Sequence, residues 1–214
     1  MLEQICGVCV VSGLSLTGIV LGNKLLDRFG AAILSRRLVS IIGGVVYLVA
    51  VLLLDKLVAL ITIGTITVLV ILLRLGFRHW LRGTLRNPSA RDYSEITYLV
   101  AGILSLSIGW GVFNDKWLAF LPVAFIAWGD DAAGLSRDTI FKGRQSRFWP
   151  SVVMLITCTG IAFIYHPFWI GATGAVIATI AERFRINLIR FWDDNINIVV
   201  FSLTVMVILI KLTG

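Results

Sequence analysis

The stretch Ala127-Trp-Gly-Asp-Asp-Ala-Ala-Gly-Leu-Ser-Arg137 places two adjacent carboxylates, Asp130 and Asp131, at the end of a short apolar run. The sequence around it is of membrane grade. Hydrophobic residues make up 58% of the 214, and the mean hydropathy is +0.93; soluble domains hold about 45–50% apolar residues even with Gly included. The run before the motif, about 117–128, covers only some 18 Å at about 1.5 Å per residue. Its helix either stops inside the bilayer or continues through the polar motif. In both cases the carboxylates must face protein or a water-filled cavity, since lipid offers them no partner. Charges held in a membrane domain are costly and mark function.

Working outward, the apolar runs predict an all-α polytopic membrane protein. It forms a single transmembrane domain over 1–214, with about eight transmembrane helices at 5–26, 38–54, 57–73, 96–113, 117–128, 150–165, 168–181 and 196–212. The first run lacks the basic flank of a signal peptide and is long enough to span, so it reads as a retained helix. The cationic residues test this layout. Four alternate loops carry sixteen of the nineteen Lys and Arg, leaving Lys56, Lys116 and Lys211 for the other side. By the positive-inside rule the basic loops are cytoplasmic, and both termini lie opposite. The net charge of +7 then reflects topology and anionic headgroups rather than nucleic acid. Cys6 and Cys9 form a lone C-x-x-C inside the first span and read as small helix-packing residues. Cys158 reads as core.

One membrane face thus carries long polar loops and the other only short turns. A transporter would place polar groups near the middle of several helices, and here those positions are almost wholly apolar. An enzyme working at the cytoplasmic interface on a lipid-like substrate fits better. Its loops offer Asp130, Asp131, Asp138, Glu182, Asp193, Asp194 and Asn195, together with Arg36, Arg37, Arg137, Lys142, Arg144 and Arg147. Carboxylates beside amide oxygens suit Mg²⁺, which takes one or two of them plus substrate phosphates. Phosphoryl transfer needs that metal, cations on the moving group, and a residue to orient the acceptor hydroxyl. With two His in the chain, His-based triads fit poorly, and no Walker-type phosphate loop or G-x-G-x-x-G occurs. If 130–144 is helical, Asp130, Arg137 and Arg144 repeat every seven residues on one face. Gly134 between them would allow close approach of phosphate or backbone.

The order Trp128-Gly129-Asp130, Arg137, Arg147-Phe148-Trp149, Glu182-Arg183-Phe184 and Asp193-Asp194-Asn195 resembles the phytol, dolichol and polyprenol kinase family, in its archaeal-type branch. Arg36-Arg37-Leu38-Val39-Ser40 resembles the family's R-K-x-x-H motif, and Glu95 stands where the family often has Glu before a span. The resemblance covers about residues 35–205. It implies a membrane kinase that moves a phosphoryl group from a nucleotide, typically CTP, to an isoprenoid alcohol. Asp130 and Arg137 would be catalytic. Arg36, Arg37, Lys142, Arg144 and Arg147 would bind nucleotide or phosphate. Asp130, Asp131, Glu182, Asp193, Asp194 and Asn195 would hold Mg²⁺. The chain departs from the pattern at Ser40 (often His), Asp131 (often Gly) and Pro150-Ser151 (often Gly-Ser or Gly-Asn).

Two other functions use similar parts. A CDP-lipid synthase would join CTP to a lipid phosphate, although its usual C-terminal acidic signature is absent. A transporter or scaffold would be no enzyme. Several residues also have plainer roles. Asp193, Asp194 and Asn195 sit where a helix N-cap is expected. The arginines of 74–91 read as headgroup-facing topology signals. His79 and the tryptophans at span ends read as interfacial.

Overall fold

A computed structural model describes residues 1–30, 32–81, 94–142, 148–184 and 193–213. Those residues are helical, joined by short turns, with no strand among them. They fall into two compact units, Met1–Ile103 and Leu104–Gly214.

The first unit is built on a close helical hairpin. Helix α1 (Leu2–Phe29) ends on Gly30, whose φ of 61° is the left-handed cap conformation that favours glycine. The chain then turns at once into α2 (Ala32–Leu53). The two helices touch through glycines. A Cβ at Gly18 would stand 3.0 Å from Ile42 Cγ2, and Ser35 Oγ donates to the carbonyl of Gly22 at 2.6 Å. This close approach is what small residues permit in membrane helices. The basic loop expected between the first two spans is therefore almost absent. Arg36 and Arg37 sit inside the first turns of α2, which begins at Ala32.

Helix α3 (Lys56–Gly76) follows Asp55, whose backbone N–H donates to Gln4 Oε1 at 3.0 Å. A short 3₁₀ turn, Arg78–Leu81, buries Leu81 against Val70. Helix α4 (Ser94–Ser105) is held by Tyr47 of α2. The buried Tyr47 hydroxyl donates to the Leu99 carbonyl at 3.2 Å and fills the space that a Cβ at Gly102 would need. Cys6 and Cys9 are exposed on α1, not packed between helices as expected, while Cys158 is buried.

The second unit surrounds one long helical rod. Helix α4 first widens into a π-helical stretch, Leu106–Val112. Asn114, with a φ of 56°, then turns the chain. Asp115 caps α5 (Lys116–Ala124), its Oδ1 accepting from the backbone of Trp117 at 2.9 Å and Leu118 at 3.0 Å. Its Oδ2 accepts from the Tyr165 hydroxyl at 2.9 Å. Gly109 lies on α5 so closely that a Cβ would come 2.5 Å from the Ala119 backbone. Helix α5 runs through a second π-helical segment, Phe125–Asp130, into α6 (Asp131–Asp138). The run Lys116–Asp138 is thus 23 residues long and mostly buried. Of the two possibilities for the short fifth run, the helix continues through the motif. Helices α7 (Phe148–Ala162), α8 (Phe168–Phe184) and α9 (Asp194–Thr213) enclose it.

Six helical runs are long and apolar enough to cross a membrane: Leu2–Phe29, Ala32–Leu53, Lys56–Gly76, Ser94–Val112, Lys116–Asp138 and Asp194–Thr213. Their outward faces carry large exposed apolar residues such as Leu57, Ile61, Val68 and Leu72 on α3, as lipid contact requires. Helices α7 and α8, at 15 and 17 residues, are shorter than the roughly 20 needed to span alone.

Candidate functional site

The Gly129-Asp130-Asp131 motif lies where the π-helical segment passes into α6. Single π turns inside α-helices occur often at functional sites, because they shift the register of every later side chain. Gly129 rests on α7: a Cβ there would meet Cys158 Sγ at 2.3 Å. On the same face Ala133, Gly134 and Ser136 are buried, and Ser136 Oγ donates to the Ala133 carbonyl at 2.7 Å. The small residues therefore press the helix against its neighbour. Asp130 and Asp131 lie half-buried at the junction.

Seven residues after Asp130, Arg137 reaches α8. Its Nη1 lies 3.8 Å from Glu182 Oε1, with 37% of the Arg137 side chain exposed and 9% of that of Glu182. Glu182 stands in the last turn of α8, on the buried face that also holds Gly171, Gly174, Ala175 and Ala178. Gly174 is equally constrained, since a Cβ would lie 2.6 Å from Met206 Sδ of α9. Tight packing of α8 on α9 thus fixes where Glu182 stands.

The helix ends sooner than the seven-residue repeat requires. Helix α6 stops at Asp138, and residues 139–142 form turns. The Ser136 carbonyl closes the end by accepting from Ile140 and Phe141. The expected alignment of Asp130, Arg137 and Arg144 on one helix therefore does not hold, although Asp130 and Arg137 do share one run. Lys142 is exposed. Arg144 and Arg147 lie outside the described residues. The flanks of that segment meet where Phe141 stacks on Trp149, 6.1 Å apart and inclined by 15°.

Asp193 acts as an N-cap for α9. Its Oδ1 accepts from the Asn195 backbone at 3.0 Å, and its Oδ2 from Asn195 Nδ2 at 3.3 Å. Asp194 opens the first turn of the helix. Among the described residues no three or more His, Cys, Asp or Glu side chains gather in a group that could hold a metal ion. The six metal-ligand candidates are thus not brought into one cluster. Mg²⁺ usually takes one or two carboxylates completed by substrate phosphates, and Asp130 and Asp131 are half-buried carboxylates next to each other in the chain.

In the first unit Arg36 Nη2 donates to Ser94 Oγ at 3.2 Å, and Arg37 is half-buried. Arg74, expected to face headgroups, is instead buried and ion-paired with Glu95. The correction has a physical cause: α4 begins with a carboxylate that the end of α3 can reach, and a buried guanidinium with a partner is better placed than one without. Sequence reasoning also missed Asn197, fully buried on α9 four residues after the Asp193 cap. The signal was present in the run Asp-Asp-Asn-Ile-Asn, which puts Asp193 and Asn197 on one face of a helix.

Compared with family models, with curated proteins and with solved structures, the chain matches none.

Proposed function

We propose that this is a lipid alcohol kinase of the membrane, transferring a phosphoryl group from a nucleotide, CTP in the reading favoured here, to an isoprenoid alcohol. One arrangement supports the reading most. A single buried helix carries Asp130 and, seven residues on, Arg137, whose guanidinium is directed to a buried carboxylate on α8. A carboxylate and a cation on one face of a helix, about two turns apart, supply the two kinds of group that phosphoryl transfer to a hydroxyl uses. In this reading all eight helical rods embed in the bilayer, with α7 and α8 crossing it inside protein, and the basic ends face the cytoplasm.

The alcohol tail would lie among the apolar helices, its hydroxyl facing Asp130. The Asp130 carboxylate takes the hydroxyl proton as the alcohol oxygen bonds to the terminal phosphorus. The bond from that phosphorus to the bridging oxygen breaks, and the nucleoside diphosphate leaves. Arg137 neutralises charge on the transferring group, and Glu182 holds the guanidinium in place. Lys142, Arg144 and Arg147 follow α6 in sequence and supply further cations for the nucleotide. Mg²⁺ held by Asp130 and Asp131 would neutralise the phosphates when bound. Among the described residues Glu182, Asp193, Asp194 and Asn195 do not gather with that pair into a group that could hold a metal ion, so the proposal gives them no metal role. The test is incubation of the purified protein with labelled CTP or ATP and a panel of prenols.

A further inference from the structure

Helix α1 presents two thiols that the kinase reading leaves unused. Its first turns are held in a fixed rotation. Gln4 Oε1 accepts from the backbone of Asp55 between α2 and α3, and Gly7 lies so near α2 that a Cβ would come 2.6 Å from Leu54 Cδ2. With that face covered, Cys6 and Cys9 stand exposed, and neither is in a disulfide. They are three residues apart on one helix, so their Cβ atoms lie about 5–6 Å apart on one face. A disulfide needs about 3.5–4.5 Å, so the helix keeps the pair as a dithiol. Gly13, one turn beyond Cys9 on that face, has open space where a Cβ would stand, which leaves the sulfurs accessible. Lys24 and Asp27 mark one edge of this span, and about 20 helical residues reach the other. That places Cys6 at the far edge and Cys9 within a turn of it.

We infer that Cys6 and Cys9 form a two-thiolate site for a soft monovalent metal ion, with Cu(I) as its type. The thiolate is the ligand form of cysteine, and thiolate sulfur selects Cu(I) over hard cations. The number of donors narrows the class. A structural zinc ion takes four ligands, and among the described residues no further His, Cys, Asp or Glu joins this pair in a group that could hold a metal. A cuprous ion is satisfied by two sulfurs in a line, and thiols on successive turns of one face admit an ion between them. On binding, each thiol gives its proton to water and two sulfur–metal bonds form. The ion keeps its oxidation state, so no oxidant or reductant takes part. The complex carries one negative charge, which the edge of a span, open to water, tolerates better than its middle.

The test is an anaerobic titration of the full chain in detergent, kept reduced by a phosphine, with Cu(I) supplied as its coloured bicinchoninate complex. Wild type should withdraw one cuprous ion per chain from the chelator. Cys6→Ser and Cys9→Ser should each abolish that transfer, whereas Cys158→Ala, which removes the buried thiol, should leave it intact. Both serine variants change exposed positions, so their helical circular dichroism and unfolding temperature should match wild type. Phenylarsine oxide, which bridges two neighbouring thiols, gives a second reading on the unsubstituted chain: one equivalent should block copper uptake. No transfer to wild type overturns the inference. So does transfer retained by either serine variant, or uptake unaffected by phenylarsine oxide. One ion shared by two chains also overturns it, since the thiols would then belong to a four-sulfur site between copies. The kinase reading stands or falls separately, because none of these measurements involves nucleotide or prenol.

Discussion

Arg137 Nη1 lies 3.8 Å from Glu182 Oε1, and the two partners differ in exposure, with the carboxylate buried and the guanidinium more than a third open to solvent. The pair is therefore unsymmetrical in energy. Removing Arg137 strips a cation from a buried carboxylate, whereas neutralising Glu182 leaves a cation that water can still solvate. Arg137→Met is expected to cost about 1–3 kcal/mol, below the full value for a buried pair because of that exposure. Glu182→Gln should shift stability by less than about 1 kcal/mol. Thermal unfolding in detergent compares them, and a larger loss for Glu182→Gln would contradict the geometry.

Gly129 offers a steric test of how the motif is seated. A Cβ there would come 2.3 Å from Cys158 Sγ, so Gly129→Ala should force α6 away from α7. The expected cost is about 1–3 kcal/mol, typical of overpacking. Adding Cys158→Ala removes the obstructing sulfur and should recover most of the loss. A double variant no more stable than Gly129→Ala alone would show that the glycine matters for another reason.

Asp115 joins three groups at the opposite end of the same rod. It accepts from two backbone N–H groups of α5 and from the Tyr165 hydroxyl. Asp115→Ala should cost about 1–2 kcal/mol for the lost cap, with Tyr165→Phe costing about 1 kcal/mol. The double variant should fall short of the sum, because both changes remove the same hydroxyl contact. Full additivity in thermal unfolding would argue against that contact.

The helices were readable because apolar length is a strong and local signal. Their ends were less so. The 117–128 run became a rod ending at Asp138 because Ala133, Gly134 and Ser136 provide a small face on which the helix can pack even through polar residues. The alternation of Lys and Arg located the loops but not the fate of each cation. Arg74 resembles its neighbours in sequence, yet Glu95, twenty-one positions away, draws it inside. Glu182 was marked by its position after a span, but only the small-residue spacing of α8 explains its burial. Asn197 went unnoticed because an Asn in a first helical turn is ordinarily a capping residue. Long-range partners of this kind are not written in local spacing.

The central claim is that Asp130 accepts the proton of a lipid hydroxyl during phosphoryl transfer. The direct measurement compares wild type and Asp130→Asn for turnover of labelled CTP or ATP with prenols, each first checked for equal unfolding temperature. The account predicts a prenyl phosphate and a nucleoside diphosphate from wild type, and a loss of about 10²–10⁴-fold in Asp130→Asn, the usual contribution of a general base. Retained turnover in Asp130→Asn, or release of pyrophosphate in place of the diphosphate, would contradict it.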